Sequence, residues 1–237
     1  MNKANLGCGL CTPEGWINVD GSWNARLARR AGFIRRLGAA LGLVDESKSR
    51  TPWSPNILGH DLRTPLPFAA NHCDVIYSSH LLEHLYHAEA QVLLRECFRV
   101  MKPGGIIRMV VPDLKAMVAE YFHDVNSETT RRVQVVPNAN RAMRLNRRLG
   151  FRSEAPPGGS VAERAYRALN DFHTHKWMYD SEALAIELVA AGFGEVEEVG
   201  FRKSRIPDIH EVEQEGRVLN GEGVCVEGVK PPVTSET

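Results

Sequence analysis

The chain has no apolar run approaching the roughly 18 residues that a membrane span needs. Its opening stretch, MNKANLGCG, lacks a signal-peptide hydrophobic region, so the expected location is the cytoplasm. Charge of one sign does not predominate either. The formal net charge is 0, which argues against a dedicated nucleic-acid binder, and no nucleic-acid partner is expected. Cysteines number five, an odd count that fits reduced thiols better than a disulfide framework. Internal repeats and low-complexity blocks are missing as well. What remains is the composition of an ordinary soluble protein, 43% hydrophobic and 24% charged over 237 residues. That length suits a single α/β domain, 1–237, with insertions, or at most two small domains.

The most informative stretch is Cys73 to Pro112. Cys73 to Tyr77 is a short buried-strand run that stops at the polar cluster Ser78-Ser79-His80. Ala88 to Met101 carries Val92, Leu93, Cys97, Val100 and Met101 at helical spacing. Lys102-Pro103-Gly104-Gly105 is expected to end that helix as a turn. Ile106 to Val111 is then a nearly continuous β-branched run, the mark of a strand covered on both faces. Two such strands joined by a helix make a right-handed parallel crossover. Ligands of such sheets sit at the carboxyl ends of the strands, where Ser78-Ser79-His80 falls.

Around this unit lie further short strand candidates. Asn5-Leu6 leads into Gly7-Cys8-Gly9, Trp16 to Asp20 ends in an acid, and Asn56 to Asp61 ends in another. Val196 to Phe201 and Val224 to Val229 are the last strands expected. Helices are expected over Asn24–Leu43, within a 23–55 insertion, and over Leu114–Phe122, Val161–Leu169 and Ser181–Ala191. The last is capped by Asp180 or Ser181 and stopped by Gly192. Residues 124–175 are irregular and arginine-rich and interrupt the α/β rhythm, so they read as a lid or acceptor-binding insertion. The tail from Lys230 to Thr237 is expected to fray.

Gly7-x-Gly9 after a strand lets backbone approach a ligand closely, or is simply a turn. Asp20 can accept two hydrogen bonds from a ribose diol, and Asp61 can accept from an adenine amino group; the plainer alternatives are a solvated acid and a turn cap. It is the order of these features that discriminates.

That order, with the patterns LGCG, GWxNVD, DLRxPLPF, DVIYSSHxLEH, RVxKPGG and VVPDL, resembles the class I S-adenosylmethionine-dependent methyltransferases, in a small bacterial-type branch. The resemblance covers residues 5–114 and continues at His175-Lys176-Trp177-Met178-Tyr179-Asp180 and Ala191-Gly192-Phe193. It implies an α/β fold: a Rossmann-like, mostly parallel sheet with helices on both faces, its last strand antiparallel. It implies S-adenosyl-L-methionine as cofactor, contacted at Gly7, Cys8, Gly9, Asp20, Asp61, Leu62, Ser78, Ser79 and His80. The chain departs from the wider family between its first two strands. Only Leu10 to Gly15 is available there, so the first helix is lost or reduced to a turn. Helix-dipole support for the cofactor's methionine carboxylate is therefore in question.

The expected activity is methyl transfer to an O or N nucleophile of a small acceptor. By analogy the acceptor is a sugar, lipid or envelope-polysaccharide precursor. Arginines at 144, 147 and 148 suggest that it is anionic, unless they form a solvated face. The basic 24–43 helix could alternatively rest on an anionic membrane surface. A base is needed only for a hydroxyl acceptor; His80 is the first candidate, then His175 and Tyr179.

Rival readings start from the same residues. His80-x-x-Glu83-His84 spells an inverted zincin pattern that on a helix would hold Zn²⁺ for a hydrolase. The alternative role for Glu83 and His84 is to cap and pack the following helix. Cys8-x-x-Cys11 and Asp171-x-His173-x-His175 are further metal-type spacings, the latter also suited to lining the acceptor side. A methyltransferase-fold binding module without catalysis is the remaining alternative. The expectation carried forward assigns no metal ligand.

Overall fold

A computed structural model describes residues 1–22, 25, 53–126, 141–150, 174–219 and 222–232. The strands are β1 (Lys3–Leu6), β2 (Trp16–Asp20), β3 (Leu58–Gly59), β4 (Cys73–Ser79), β5 (Met101–Val111), β6 (Gly194–Val199) and β7 (Val224–Val229). The helices are α1 (His87–Val100), α2 (Leu114–Asn126), α3 (Arg141–Arg148) and α4 (Ser181–Ala190). The helices expected over 24–43 and 161–169, and most of the 23–55 and 124–175 insertions, fall outside the described residues.

The strands form one seven-stranded sheet in the order β3-β2-β1-β4-β5-β7-β6. The first five run parallel, and β7 is antiparallel to both β5 and β6. Chain order reverses between β1 and β4, which is the switch point where an open α/β sheet binds its ligand.

Period-2 alternation assigns each strand residue to a layer. Leu6, Ile76, Ile107, Met109 and Val226 face the core closed by α1 and α4 through Leu93, Leu94, Cys97, Leu184 and Leu188. Trp16, Val75, Tyr77, Val110 and Cys225 face the other way, onto Ile206, Ile209, Val212 and Val218. That second layer is carried by the β6–β7 connection, with 3₁₀ turns at Ile209–Glu211 and Glu215–Arg217.

Residues 7–15 form turns between β1 and β2, as the short linker requires. The helix missing there leaves sheet face uncovered, and the 201–218 segment lies over it. Glu211 accepts from the Trp16 indole at 2.8 Å and from Lys3 Nζ at 3.1 Å. Deeper in the layer, Arg108 is fully buried and pairs with Glu213 at 2.6 Å and Glu227 at 2.8 Å.

Several boundaries move from expectation for local reasons. Lys102 to Gly105 do not close a helix-to-strand turn ahead of β5 but bulge from within it, for Cys73 pairs with Met101 and Val75 already pairs with Ile106. Gly104, at φ +77°, permits the kink. The third strand is cut to two residues, and Ser78 and Ser79 belong to β4 rather than to the turn after it. The start of α1 is capped by Glu89, which accepts from the Tyr86 amide at 3.0 Å, so the capping role considered for Glu83 and His84 is not theirs. At the other end of α1 the Lys230 ammonium donates to the carbonyls of Phe98 and Met101 at 2.7 and 2.8 Å, satisfying orphan helix acceptors. The side chain of Asp180 caps α4, accepting from Ala183 N at 2.8 Å.

Candidate functional site

The carboxyl ends of β1 to β4 open onto a cavity of about 410 Å³. Gly7 and Gly9 come from the turn after β1, Asp20 ends β2, Asp61 and Leu62 follow β3, and His80 follows β4. A second cavity of about 340 Å³, reached past Gly7, Gly9, Trp53 and Arg217, adds Cys8, Cys11, Tyr77 and Ser79. Four adjacent strand ends span about 14 Å at the usual interstrand spacing. The site is thus an elongated trough with acids at one end and a histidine at the other.

The glycine turn is fixed by the acid beside it. Asp20 Oδ2 accepts from Gly9 N at 2.9 Å and Oδ1 accepts from Ser22 N at 2.7 Å. The Gly7 and Cys8 amides both donate to the Val19 carbonyl, at 2.9 and 3.1 Å. Gly7 and Gly9 have φ of +69° and +53°, in the left-handed region that favours glycine. A carboxylate has about four lone-pair positions, so Asp20 retains acceptor capacity after binding two amides. Asp61 is forked by the Arg63 guanidinium at 2.9 and 2.7 Å.

The other expected residues sort by position. Ser78 is turned away from the trough, because its buried hydroxyl donates to the Leu6 carbonyl at 2.9 Å and ties β4 to β1. Burial, with the nearby Asp20 charge adding to it, pushes the Cys8 thiol up to about 12. Burial also raises Cys11. Both shifts favour the protonated thiol over the thiolate.

His80 has φ +53° and lines the trough. Its Nε2 lies 2.9 Å from the Arg217 carbonyl and its Nδ1 lies 3.3 Å from Glu83 Oε1. Neither His175 nor Tyr179 lines the trough. Tyr179 is buried, and burial together with the charges of Glu187 and Glu83 raises its phenol, so it is poorly suited to act as a base. His175 packs behind His84 with ring centroids 5.0 Å apart. The inverted zincin reading fails on geometry, because Leu82–His84 is a single 3₁₀ turn and His80 precedes it in a left-handed conformation. Asp171 and His173 lie outside the described residues.

Residues 20–109 match the methyltransferase-domain family. A demethylmenaquinone methyltransferase of Streptomyces griseus subsp. griseus is 35% identical to this chain over 107 residues, 45% of this chain and 43% of that one. The match thus spans less than half of that relative. Among solved structures, an S-adenosylmethionine-dependent methyltransferase from Archaeoglobus fulgidus aligns at 16% identity and TM-score 0.47, over 97% of this chain and 86% of its own. A possible histamine N-methyltransferase from Thermotoga maritima aligns at 14% identity and TM-score 0.45, over 97% and 82%.

Residues that the sequence motifs did not single out also shape the site. Trp53 and Arg217 line both cavities, and Arg63, Leu81, His84 and Leu85 line the larger. Arg217 Nη1 reaches the Ser79 carbonyl at 3.4 Å. Arg63 was visible in the DLR pattern. Arg217 carries no local signal, since it arrives from the β6–β7 connection, far away in sequence. No helix among the described residues is long and apolar enough to cross a membrane.

Proposed function

We propose that this chain transfers a methyl group from S-adenosylmethionine to an oxygen or nitrogen of a small acceptor. The observation carrying the reading is the row of Asp61, Asp20, Gly7 with Gly9, and His80 at four neighbouring strand ends along one trough. That row offers acceptors for an amino-purine and a ribose, close backbone approach for the amino-acid portion, and a histidine at the end that remains. Trp53, Leu62, Leu81 and Leu85 supply apolar wall, and the Arg217 guanidinium supplies the positive charge that a helix after β1 would have given the methionine carboxylate.

Methyl transfer is an in-line displacement at a sulfonium carbon, so positioning and exclusion of water supply most of the acceleration. Where the acceptor is a hydroxyl, His80 takes its proton at Nε2 once the acceptor displaces the Arg217 carbonyl, and Glu83 Oε1 stands 3.3 Å from Nδ1, where its charge favours the resulting imidazolium. The insertion after β5 would cover the acceptor. In favour of this, Gly150 packs against the His175 ring, which brings the 141–150 segment to the strand-end edge. Within that segment Arg148 is paired with Glu120, and Arg148 also faces Glu222 at 3.8 Å, so an anionic acceptor would compete with these carboxylates for it. The side chain of Arg144 falls outside the described residues.

Calorimetric titration with S-adenosylmethionine and S-adenosylhomocysteine tests the reading. Saturable one-to-one binding of both is expected. No heat from either at millimolar ligand would favour a binding module that keeps the fold and has lost the cofactor.

A further inference from the structure

Behind the His80 end of the trough, three side chains from two separate segments converge. Glu83 and His84 belong to the 3₁₀ turn after β4, and His175 belongs to the 174–180 strap. The strap is fixed against that turn through backbone. The Lys176 and Trp177 amides donate to the Glu83 carbonyl at 2.6 and 3.4 Å, and Lys176 Nζ donates to the His84 carbonyl at 3.0 Å. One ligand-type atom from each of Glu83, His84 and His175 lies within 4.8 Å of the other two.

Glu83 is wholly buried, yet neither carboxylate oxygen makes a hydrogen bond among the described residues. His175 Nδ1 is buried and makes none with them either. His84 Nδ1 sits 3.3 Å from the Thr174 carbonyl, which can only accept, so the proton belongs on Nδ1. That tautomer turns the Nε2 lone pair inward, 3.8 Å from Glu83 Oε1. Burying a carboxylate without compensation is costly. One cation among the three atoms would compensate the buried carboxylate.

We infer that Glu83, His84 and His175 form a binding site for a divalent metal ion of the zinc class. Two imidazoles and one carboxylate are a recurrent ligand set for such an ion, and they leave a position open for water or an acceptor atom. Tetrahedral binding places ligand atoms about 3.3 Å apart, so modest side-chain rotations close the set. The Thr174 carbonyl on His84 is the outer-shell partner that metal-bound imidazoles usually have. His84 also lines the trough, so the ion would sit at the wall beside the reacting end. The competing arrangement is a proton shared between Glu83 and His80, whose Nδ1 stands 3.3 Å away. This site stands independently of the methyl-transfer reading.

The test uses the whole chain, stripped with a chelator, desalted, and titrated with Zn²⁺ alone. Uptake of about one equivalent is expected, together with a rise in melting temperature. Glu83→Gln, His84→Ala and His175→Ala should each weaken uptake by roughly 100-fold, and exposed His210→Ala should not. Co²⁺ loaded in place of Zn²⁺ should give visible d–d bands in the wild type that Glu83→Gln abolishes. Glu83→Gln preserves side-chain volume, so it decides the matter even if a histidine variant fails to fold. Negligible zinc retention by the wild type, or uptake by Glu83→Gln equal to wild type, would overturn the inference and favour the shared proton. Titration of the stripped protein with S-adenosylhomocysteine reports separately on the cofactor reading.

Discussion

Replacing Asp20 by Ala tests the site at its centre. The carboxylate has two tasks in the structure, holding the Gly9 and Ser22 amides and facing the trough with its remaining lone pairs. Charge-assisted hydrogen bonds are worth about 1.5–3 kcal/mol each, and one or two ribose hydroxyls sharing an already occupied carboxylate fall at the lower end. A loss of about 1–3 kcal/mol in cofactor binding follows, or roughly 5–150-fold in Kd. Part of any loss could come from a loosened glycine turn, so the assay needs a second ligand. Wild type and Asp20→Ala should be titrated calorimetrically with S-adenosylhomocysteine and with an analogue lacking the ribose 2′ and 3′ hydroxyls. If Asp20 binds the diol, the variant loses much more affinity for the natural ligand than for the analogue, a coupling that the cycle isolates. Equal losses for both ligands would assign Asp20 a purely structural role. Unchanged affinity would remove it from the site and with it the assignment of the β1 and β2 ends.

Gly9→Val should abolish S-adenosylhomocysteine binding while lowering the melting temperature by only a few degrees. A Cβ there meets no atom of the described residues within 4 Å, so the folded chain bears mainly the strain of φ +53°, about 1–2 kcal/mol. Arg108→Met should unfold the chain far more readily, by about 3–5 kcal/mol in a denaturant melt, because it leaves Glu213 and Glu227 buried without their shared cation. A loss under about 1 kcal/mol would show that the buried triad can be dispensed with. Acid should destabilise the fold through Asp74 and Glu96. Hydrogen bonds from Lys102 and Arg99 respectively hold these carboxyls below their ordinary values. Their folded pKa values lie below the unfolded ones, so their contribution is complete above about pH 5 and is lost as pH falls through the folded values. Thermal melts of Asp74→Asn and Glu96→Gln should therefore fall less steeply below about pH 4.5 than the wild type; parallel curves would contradict the assignment.

What the sequence alone determined is what local periodicity encodes. The buried run of β4, the amphipathic spacing of α1, the β-branched run of β5 and the bounds Val224–Val229 of β7 were legible because each needs only a few consecutive residues to declare itself. Strand-end acids at Asp20 and Asp61 and the glycines at 7 and 9 were legible for the same reason, since a parallel sheet delivers every strand's carboxyl end to one edge. The short 10–15 linker likewise announced that a helix was missing. Tertiary structure alone decided how that loss is made good. The β6–β7 connection has no strong periodicity, yet it lies across the exposed sheet face, buries Glu213 against Arg108, and carries Arg217 to the trough. Tertiary structure also decided which histidine accompanies Glu83 and His84. Helical spacing nominated His80, but the chain turns left-handed there, and His175 arrives instead on a strap about ninety residues later in the chain. Contacts of that separation depend on how layers pack, and no window of consecutive residues records them.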